Sequence, residues 1–158
     1  DAIYSMAFNM VKKATETGFT KFSLLLQDVT TMLTTARKLR NDLTVFYISH
    51  SEMVENNGHI VTQKIKTVGK ALDNQIVMEG LFSIVLYTYI GEDTDGNATY
   101  NFVTNRWSVY PAKSPMGMFP ENKIPNDLQL VRDFVSAYYK DEEAPVIQEA
   151  QPTKKTKA

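Results

Sequence analysis

The residues best suited to chemistry are Ser49, His50, Ser51 and Glu52, at the end of the apolar run 43–50, LTVFYISH. A β-branched and aromatic run of this kind is typical of a strand buried on both faces, as in a parallel sheet. Ligands of open α/β sheets bind at the carboxyl ends of such strands. His50 is therefore placed to sense or polarise a phosphate or an attacking water. A histidine hydrogen-bonded to a nearby carbonyl for structural reasons fits the residues equally well.

A second candidate is the basic segment 64–70, KIKTVGK, in which Lys64, Lys66 and Lys70 surround Gly69. Three cations in seven residues can pair with phosphates, and a glycine lets the backbone approach a ligand closely. The segment is a candidate for phosphate or DNA contact. A solvated loop with ordinary lysines is the alternative.

Arg106 is the third candidate. It follows the alternating pattern YNFVTN and precedes Trp107. The planar guanidinium of an arginine at a strand edge can reach across an interface to a phosphate. Stacking of Arg106 on Trp107, or an ion pair at the rim, is the structural alternative, and the residues alone favour it.

The sequence shows no loop that would cradle a triphosphate. Such loops follow the pattern GxxxxGK[ST], whereas the pair Gly69-Lys70 has no glycine five positions upstream and is followed by Ala71. A small hydrolase centred on His50 is a further alternative, but the GxSxG elbow of the α/β-hydrolases is missing.

The composition is that of an ordinary globular protein, with 158 residues, 43% hydrophobic and 22% charged. The net charge of -1 gives no global field for nucleic acid or membrane, so an anion-binding surface must be local. The sequence has no cysteine and only two histidines, which excludes disulfides and thiolate metal sites and disfavours a multi-histidine centre. No signal peptide or membrane-spanning run is recognisable. Because Asp1 stands within a helical pattern, we expect a fragment or a processed product.

Apolar spacing predicts the elements that position these residues. Helices are predicted over residues 2–15, 20–39, 69–75 and 127–139, with Thr20 and Asn126 as N-caps of the second and the last. Extended segments are predicted over residues 43–49, 59–66, 81–90 and 98–105, the last two joined into a hairpin by the turn 93–97. Loops are predicted over residues 53–58 and 111–125. This order indicates an α/β fold with a mixed sheet whose antiparallel edge is the hairpin.

Five stretches carry a family resemblance: DLTVFYISHSE, KIKTVGKALDNQIVMEGLFSIVLYT, YNFVTNR, AKSPMGMF and IPNDLQLV. In this order they resemble the C-terminal part of a family of bacteriophage P-loop ATPases with a RecA-like (AAA-type) domain. The resemblance covers residues 1–140 and implies a partial RecA-like domain with a mixed sheet flanked by helices. Residues 141–158 lack a core pattern and are predicted to be a disordered tail.

The resemblance also implies roles for the candidate residues. An upstream half would carry the Walker A loop and the Walker B strand, whose end Asp1 resembles, so that Asp1 would stand near Mg²⁺ and the attacking water. His50 would match the polar sensor at the end of the next core strand. Lys64, Lys66 and Lys70 would belong to the mobile loop that faces DNA. Arg106 would match the finger that enters a neighbouring subunit's nucleotide site and stabilises the transferring phosphoryl group.

The resemblance therefore implies a homo-oligomeric ATPase that acts on single-stranded DNA in recombination or replication. The chain would supply its sensor and its trans-acting finger. ATP and Mg²⁺ would bind only with the missing half, a phage single-strand-binding protein would be a further partner, and no membrane would be involved. The location would be the host cytoplasm. The alternative is a non-catalytic nucleic-acid-binding or assembly module. The chain alone is expected to be inactive, since it lacks the phosphate loop.

Overall fold

A computed structural model of the chain describes residues 19–67 and 77–147, which form a mixed α/β structure with two α-helices and two small antiparallel sheets. The chain divides into two compact units, with the boundary between Ser83 and Ile84. The mixed α/β class is as the sequence predicts. Every strand pair within the described ranges is antiparallel, so the parallel pairs expected of a mixed sheet are not among them.

The first unit contains helix α1, Phe19–Thr35, followed by the 3₁₀ turn Ala36–Lys38. The prediction of a helix over residues 20–39 is therefore correct in position. Thr20 is not its N-cap, because it lies inside the helix. Val29 and Leu33, one turn apart on α1, are buried with Met78 of the 3₁₀ turn Met78–Leu81. This cluster is the core of the first unit.

A β-hairpin completes the first unit. Strand β1, Ser51–Asn56, pairs antiparallel with strand β2, His59–Ile65, and a bulge follows Val54. The connecting residues Asn57 and Gly58 both have positive φ, 51° and 77°, as a two-residue type I′ turn requires. The prediction of a loop over residues 53–58 is wrong, because this Asn-Gly signal makes the polar stretch before it a strand.

The predicted buried strand over residues 43–49 is also wrong. These residues adopt neither helix nor strand and lie at the surface. A β-strand needs a neighbour that satisfies its backbone hydrogen bonds. No strand within the described ranges pairs with this run, so its strand-forming composition alone does not produce a strand.

The second unit is built on a three-stranded sheet. Strands β3, Tyr87–Glu92, β4, Ala98–Val103, and β5, Lys123–Pro125, lie in the order β3-β4-β5. The predicted hairpin is confirmed. The strand predicted over residues 81–90 begins only at Tyr87, because the residues before it form a 3₁₀ turn and one isolated bridge. Residues 111–125 are irregular as predicted, except that they end in β5.

The last element is helix α2, Leu128–Lys140. Its N-cap is Asp127, whose carboxylate accepts hydrogen bonds from the backbone amides of Gln129 and Leu130, so the predicted cap Asn126 is displaced by one residue. The helix packs on one face of the sheet through a cluster of six buried side chains: Phe102, Met118, Phe119, Ile124, Val131 and Phe134. Ile147 packs against the same cluster.

Several predictions lie outside the described residues. They are the helices over residues 2–15 and 69–75, the candidate residues Asp1 and Lys70, and residues 148–158 of the predicted tail. Neither α1 nor α2 has both the length and the apolar character that a bilayer crossing requires.

Candidate functional site

An exposed run of large apolar side chains precedes His50 in the first unit. We call residues 43–48 the apolar segment. Its large side chains are at least 37% exposed, and Ile48 is the most exposed at 81%: Leu43, Val45, Phe46, Tyr47 and Ile48. Soluble proteins usually bury such a continuous run, so its exposure is unusual.

Tyr47 attaches the apolar segment to the rest of its unit. Its hydroxyl donates a hydrogen bond to the carbonyl oxygen of Met32 on α1, at 3.1 Å. Its ring lies 5.4 Å from the ring of Phe82, measured between centroids. These contacts hold the segment against the unit while the side chain of Ile48 remains in solvent.

His50 lies where the apolar segment meets the hairpin. Its carbonyl oxygen accepts a hydrogen bond from the amide of Lys66 at 2.8 Å, which extends the pairing of β1 with β2 by one position. Ser51 donates its hydroxyl to the side-chain oxygen of Gln63 at 3.1 Å. Because this serine bonds across the hairpin, it is not arranged as the nucleophile of a hydrolase, and that alternative loses support.

The structure places Lys64 and Lys66 at the end of β2. The ammonium of Lys64 lies 3.0 Å from a carboxylate oxygen of Glu52, its cross-strand partner in β1. Lys66 follows β2 and is exposed, and Lys70 lies outside the described residues. The ion pair partly neutralises Lys64, and both side chains are more than a third exposed, so its net effect on stability is small.

Arg106 is exposed just beyond the end of β4. The expected stacking of Arg106 on Trp107 is wrong, since the cation over that ring is Lys123 of β5, with its ammonium 3.7 Å from the ring centroid. Within the described ranges Arg106 has no ion pair and no ring contact. The Arg106 side chain therefore has no charged or aromatic partner in the part of the chain that the structure describes.

Sequence reasoning missed a cluster of aromatic rings around Lys123. Trp107 and Tyr110 lie with their ring planes 9° apart and their centroids 6.0 Å apart. Tyr89 meets Trp107 edge-on at 5.1 Å, and the Lys123 ammonium lies 4.4 Å from the Tyr89 ring. The residues WSVY are the one local signal for it, because Lys123 comes from a distant strand.

The tip of the β3–β4 hairpin carries a perturbed carboxylate. The side chain and backbone amides of Asn97, with the amide of Asp95, donate hydrogen bonds that lower the pKa of Asp93 below its ordinary value. These bonds close the turn on itself, and they lower the pKa because they stabilise the charged form of the carboxylate. Within the described ranges no three histidine, cysteine or acidic side chains are grouped as metal ligands, and Asp1 lies outside those ranges.

Comparison of the chain with protein-family models, curated proteins and solved structures found no match.

Proposed function

We propose that this chain is the C-terminal portion of a bacteriophage RecA-like ATPase. The complete protein acts as a homo-oligomer on single-stranded DNA, in recombination or replication, within the host cytoplasm. The observation that carries the proposal is the apolar segment, residues 43–48, which has the composition of a core strand but is exposed and unpaired by any described strand.

Burial of the apolar segment against a neighbouring sheet would be favourable for two physical reasons. Large apolar side chains gain about 25 cal/mol for each Å² removed from water, and a neighbouring strand also satisfies the backbone. The resemblance implies that this run is the core strand that follows the Walker B strand. The Walker B strand would belong to the half that carries the phosphate loop.

The candidate residues take their roles from this arrangement. His50, at the carboxyl end of the apolar segment, serves as the polar sensor of the nucleotide. Arg106, exposed after β4, acts in the nucleotide site of the adjoining subunit. Lys64, Lys66 and Lys70 contact DNA phosphates. A phage single-strand-binding protein is the further partner.

The nucleotide itself belongs to the other half of this proposed domain. Mg²⁺ bound to ATP neutralises the phosphates that the reaction rearranges, and the resemblance assigns Asp1 to that metal. Since this chain has no phosphate-loop sequence, nucleotide binding depends on the other half. The 158-residue chain is expected to show no turnover of Mg-ATP.

Each unit has its own buried cluster, and this observation favours the second candidate, a non-catalytic nucleic-acid-binding or assembly module. Units with their own cores can fold without an added half. The two candidates differ in what happens to the apolar segment. The ATPase requires it to enter a sheet, whereas the module leaves it available to other partners.

Hydrogen exchange tests the proposal directly. The amides of residues 43–49 should exchange rapidly in the 158-residue chain and become strongly protected in a protein extended upstream by an in-frame GxxxxGK[ST] sequence. Equal exchange in both proteins, or an upstream reading frame without that sequence, contradicts the ATPase and favours the module.

The finger role has its own test in the extended protein. Arg106→Ala should abolish ATP turnover while nucleotide binding is retained. Mixing it with a phosphate-loop variant should restore activity, because one subunit then supplies the finger and the other the bound nucleotide. Loss of nucleotide binding in Arg106→Ala is incompatible with a finger.

A further inference from the structure

Four aromatic residues of the second unit pack together on the sheet face that α2 does not cover: Tyr87, Tyr89, Trp107 and Tyr110. In the register of the sheet, Tyr87 lies opposite Val103, which lies opposite Lys123. Side chains alternate between the faces along each strand, so Phe102 and Ile124, which pack in the α2 cluster, point the other way. The face that carries Lys123 is therefore distinct from the α2 face.

A tight turn presents two parallel rings on this face. Trp107 and Tyr110 exchange both backbone hydrogen bonds, at 3.2 and 3.0 Å, so they are direct cross-strand neighbours and their side chains lie on the same side. Ser108 closes the turn with φ 52°, a conformation that L side chains adopt at an energetic cost. The turn thus holds the two half-buried rings with their planes nearly parallel and their centroids 6.0 Å apart.

Lys123 supplies a positive charge next to these rings. It is half-buried, and within the described ranges its ammonium lies over the rings of Trp107 and Tyr89 and forms no ion pair. Ring faces attract a cation but leave its net charge uncompensated. Arg106, adjacent to Trp107 in sequence, is exposed, and the acidic residue nearest to Lys123 in sequence, Glu121, forms no ion pair with it.

We propose that the aromatic–lysine cluster, defined as Tyr89, Trp107, Tyr110 and Lys123, binds an unpaired nucleobase together with its phosphate. The base stacks on the part of the Trp107 and Tyr110 rings that the Lys123 ammonium leaves uncovered, and the phosphate pairs with Lys123 and Arg106. Aromatic platforms flanked by cations are how proteins bind single-stranded nucleic acid without sequence readout. The site requires neither the phosphate loop nor the basic segment 64–70, and so it is independent of the proposed ATPase.

The chain contains a built-in probe of this site, because Trp107 is its single tryptophan. We would titrate the 158-residue chain with oligo(dT) of about 12 nucleotides, within the range that such sites occupy. Parallel titrations use a mononucleotide and an abasic phosphodiester chain of equal length. Trp107 emission should be quenched by oligo(dT) much more strongly than by the abasic chain. Quenching by the mononucleotide as well identifies free nucleotide as a ligand, whereas quenching by the oligomer alone identifies single-stranded nucleic acid, and both results support the site.

Variants locate the binding surface. Tyr110→Ala should weaken oligo(dT) binding roughly tenfold or more, the effect of losing one base stack. Lys123→Ala should weaken binding and reduce the salt dependence by about one phosphate contact. Tyr100→Ala, at an exposed tyrosine on the other face of the sheet, and Lys140→Ala on α2 are the matched controls and should bind as the parent does.

Circular dichroism must first show that each variant is folded. Unchanged emission with all three ligands overturns the proposal. Equal quenching by oligo(dT) and by the abasic chain overturns it as well, since phosphate alone then accounts for binding. None of these measurements depends on ATP turnover, so failure here leaves the ATPase proposal standing, and the converse also holds.

Discussion

Replacement of Ile48 by aspartate tests whether the apolar segment is a core strand of a larger domain. In the 158-residue chain the Ile48 side chain is 81% exposed. Surface substitutions of this kind change the free energy of unfolding by about 0.5 kcal/mol or less. We therefore expect Ile48→Asp to have almost no effect on the stability of this chain.

The expected magnitude is different if an upstream half covers the segment. Full burial of an isoleucine side chain contributes about 1.5–3 kcal/mol, and aspartate forfeits it. Placing a carboxylate in the same apolar site without a partner costs several kcal/mol more in order of magnitude. The sum, about 5 kcal/mol or above, is comparable to the total stability of many domains. Ile48→Asp should therefore prevent the extended protein from folding stably.

Urea denaturation followed by circular dichroism measures the difference. The matched control is Ile90→Asp, because Ile90 is 65% exposed on β3, in the second unit. The control should be tolerated about equally in the 158-residue chain and in the extended protein. A result in which Ile48→Asp is also tolerated equally in both would refute the inference that the segment becomes buried.

Two further predictions concern the second unit. Phe134 is 1% exposed, and its ring packs edge-on against that of Phe119 with 5.6 Å between the centroids. Phe134→Ala should therefore lower the free energy of unfolding of this unit by about 3–5 kcal/mol, measured by urea denaturation with Trp107 emission. The control Phe134→Leu should lower it much less, because leucine fills most of the same volume. The pKa of Asp93, measured by carboxyl-carbon NMR, should lie below the ordinary value of 3.8. It should rise in an Asn97→Ala variant, because Asn97 donates the hydrogen bonds that lower it most. Because the pKa of Asp93 is lower in the folded state, its ionised carboxylate stabilises the hairpin at pH values above the unfolded-state pKa. This stabilisation is lost as the pH falls through the folded-state pKa. An Asp93 midpoint unchanged by Asn97→Ala would show that these hydrogen bonds do not set it.

Local sequence signals predicted the elements whose stability is local. The β3–β4 hairpin follows from the turn around Gly96, and α2 follows from its apolar spacing and a polar cap near Asp127. Strand β1 was missed because it has no fully buried residue, although Asn57-Gly58 marks the turn that follows it. Propensity identified a strand at residues 43–49, but a strand also requires a neighbour that the described chain does not supply.

Local sequence signals also failed to predict the contacts within the candidate sites. Glu52 becomes the partner of Lys64 only once the register of β1 and β2 is known. Lys123 reaches Trp107 from a strand that is distant in sequence, and adjacency in the chain suggested Arg106 instead. Contacts that decide what a charged residue does are long-range, so single-sequence patterns identify the residue but not its partner.

The apolar segment should also favour self-association of the isolated chain at high concentration. Residues 43–48 contain neither proline nor charge, and short runs with such composition stack between copies as pairs of interlocked sheets. Charged side chains flank the run, with Arg40 and Asp42 before it and Glu52 shortly after it. Flanking charges of this kind oppose in-register stacking, because identical charges then lie one strand apart. Solubility of the chain should consequently fall when these flanking charges are neutralised.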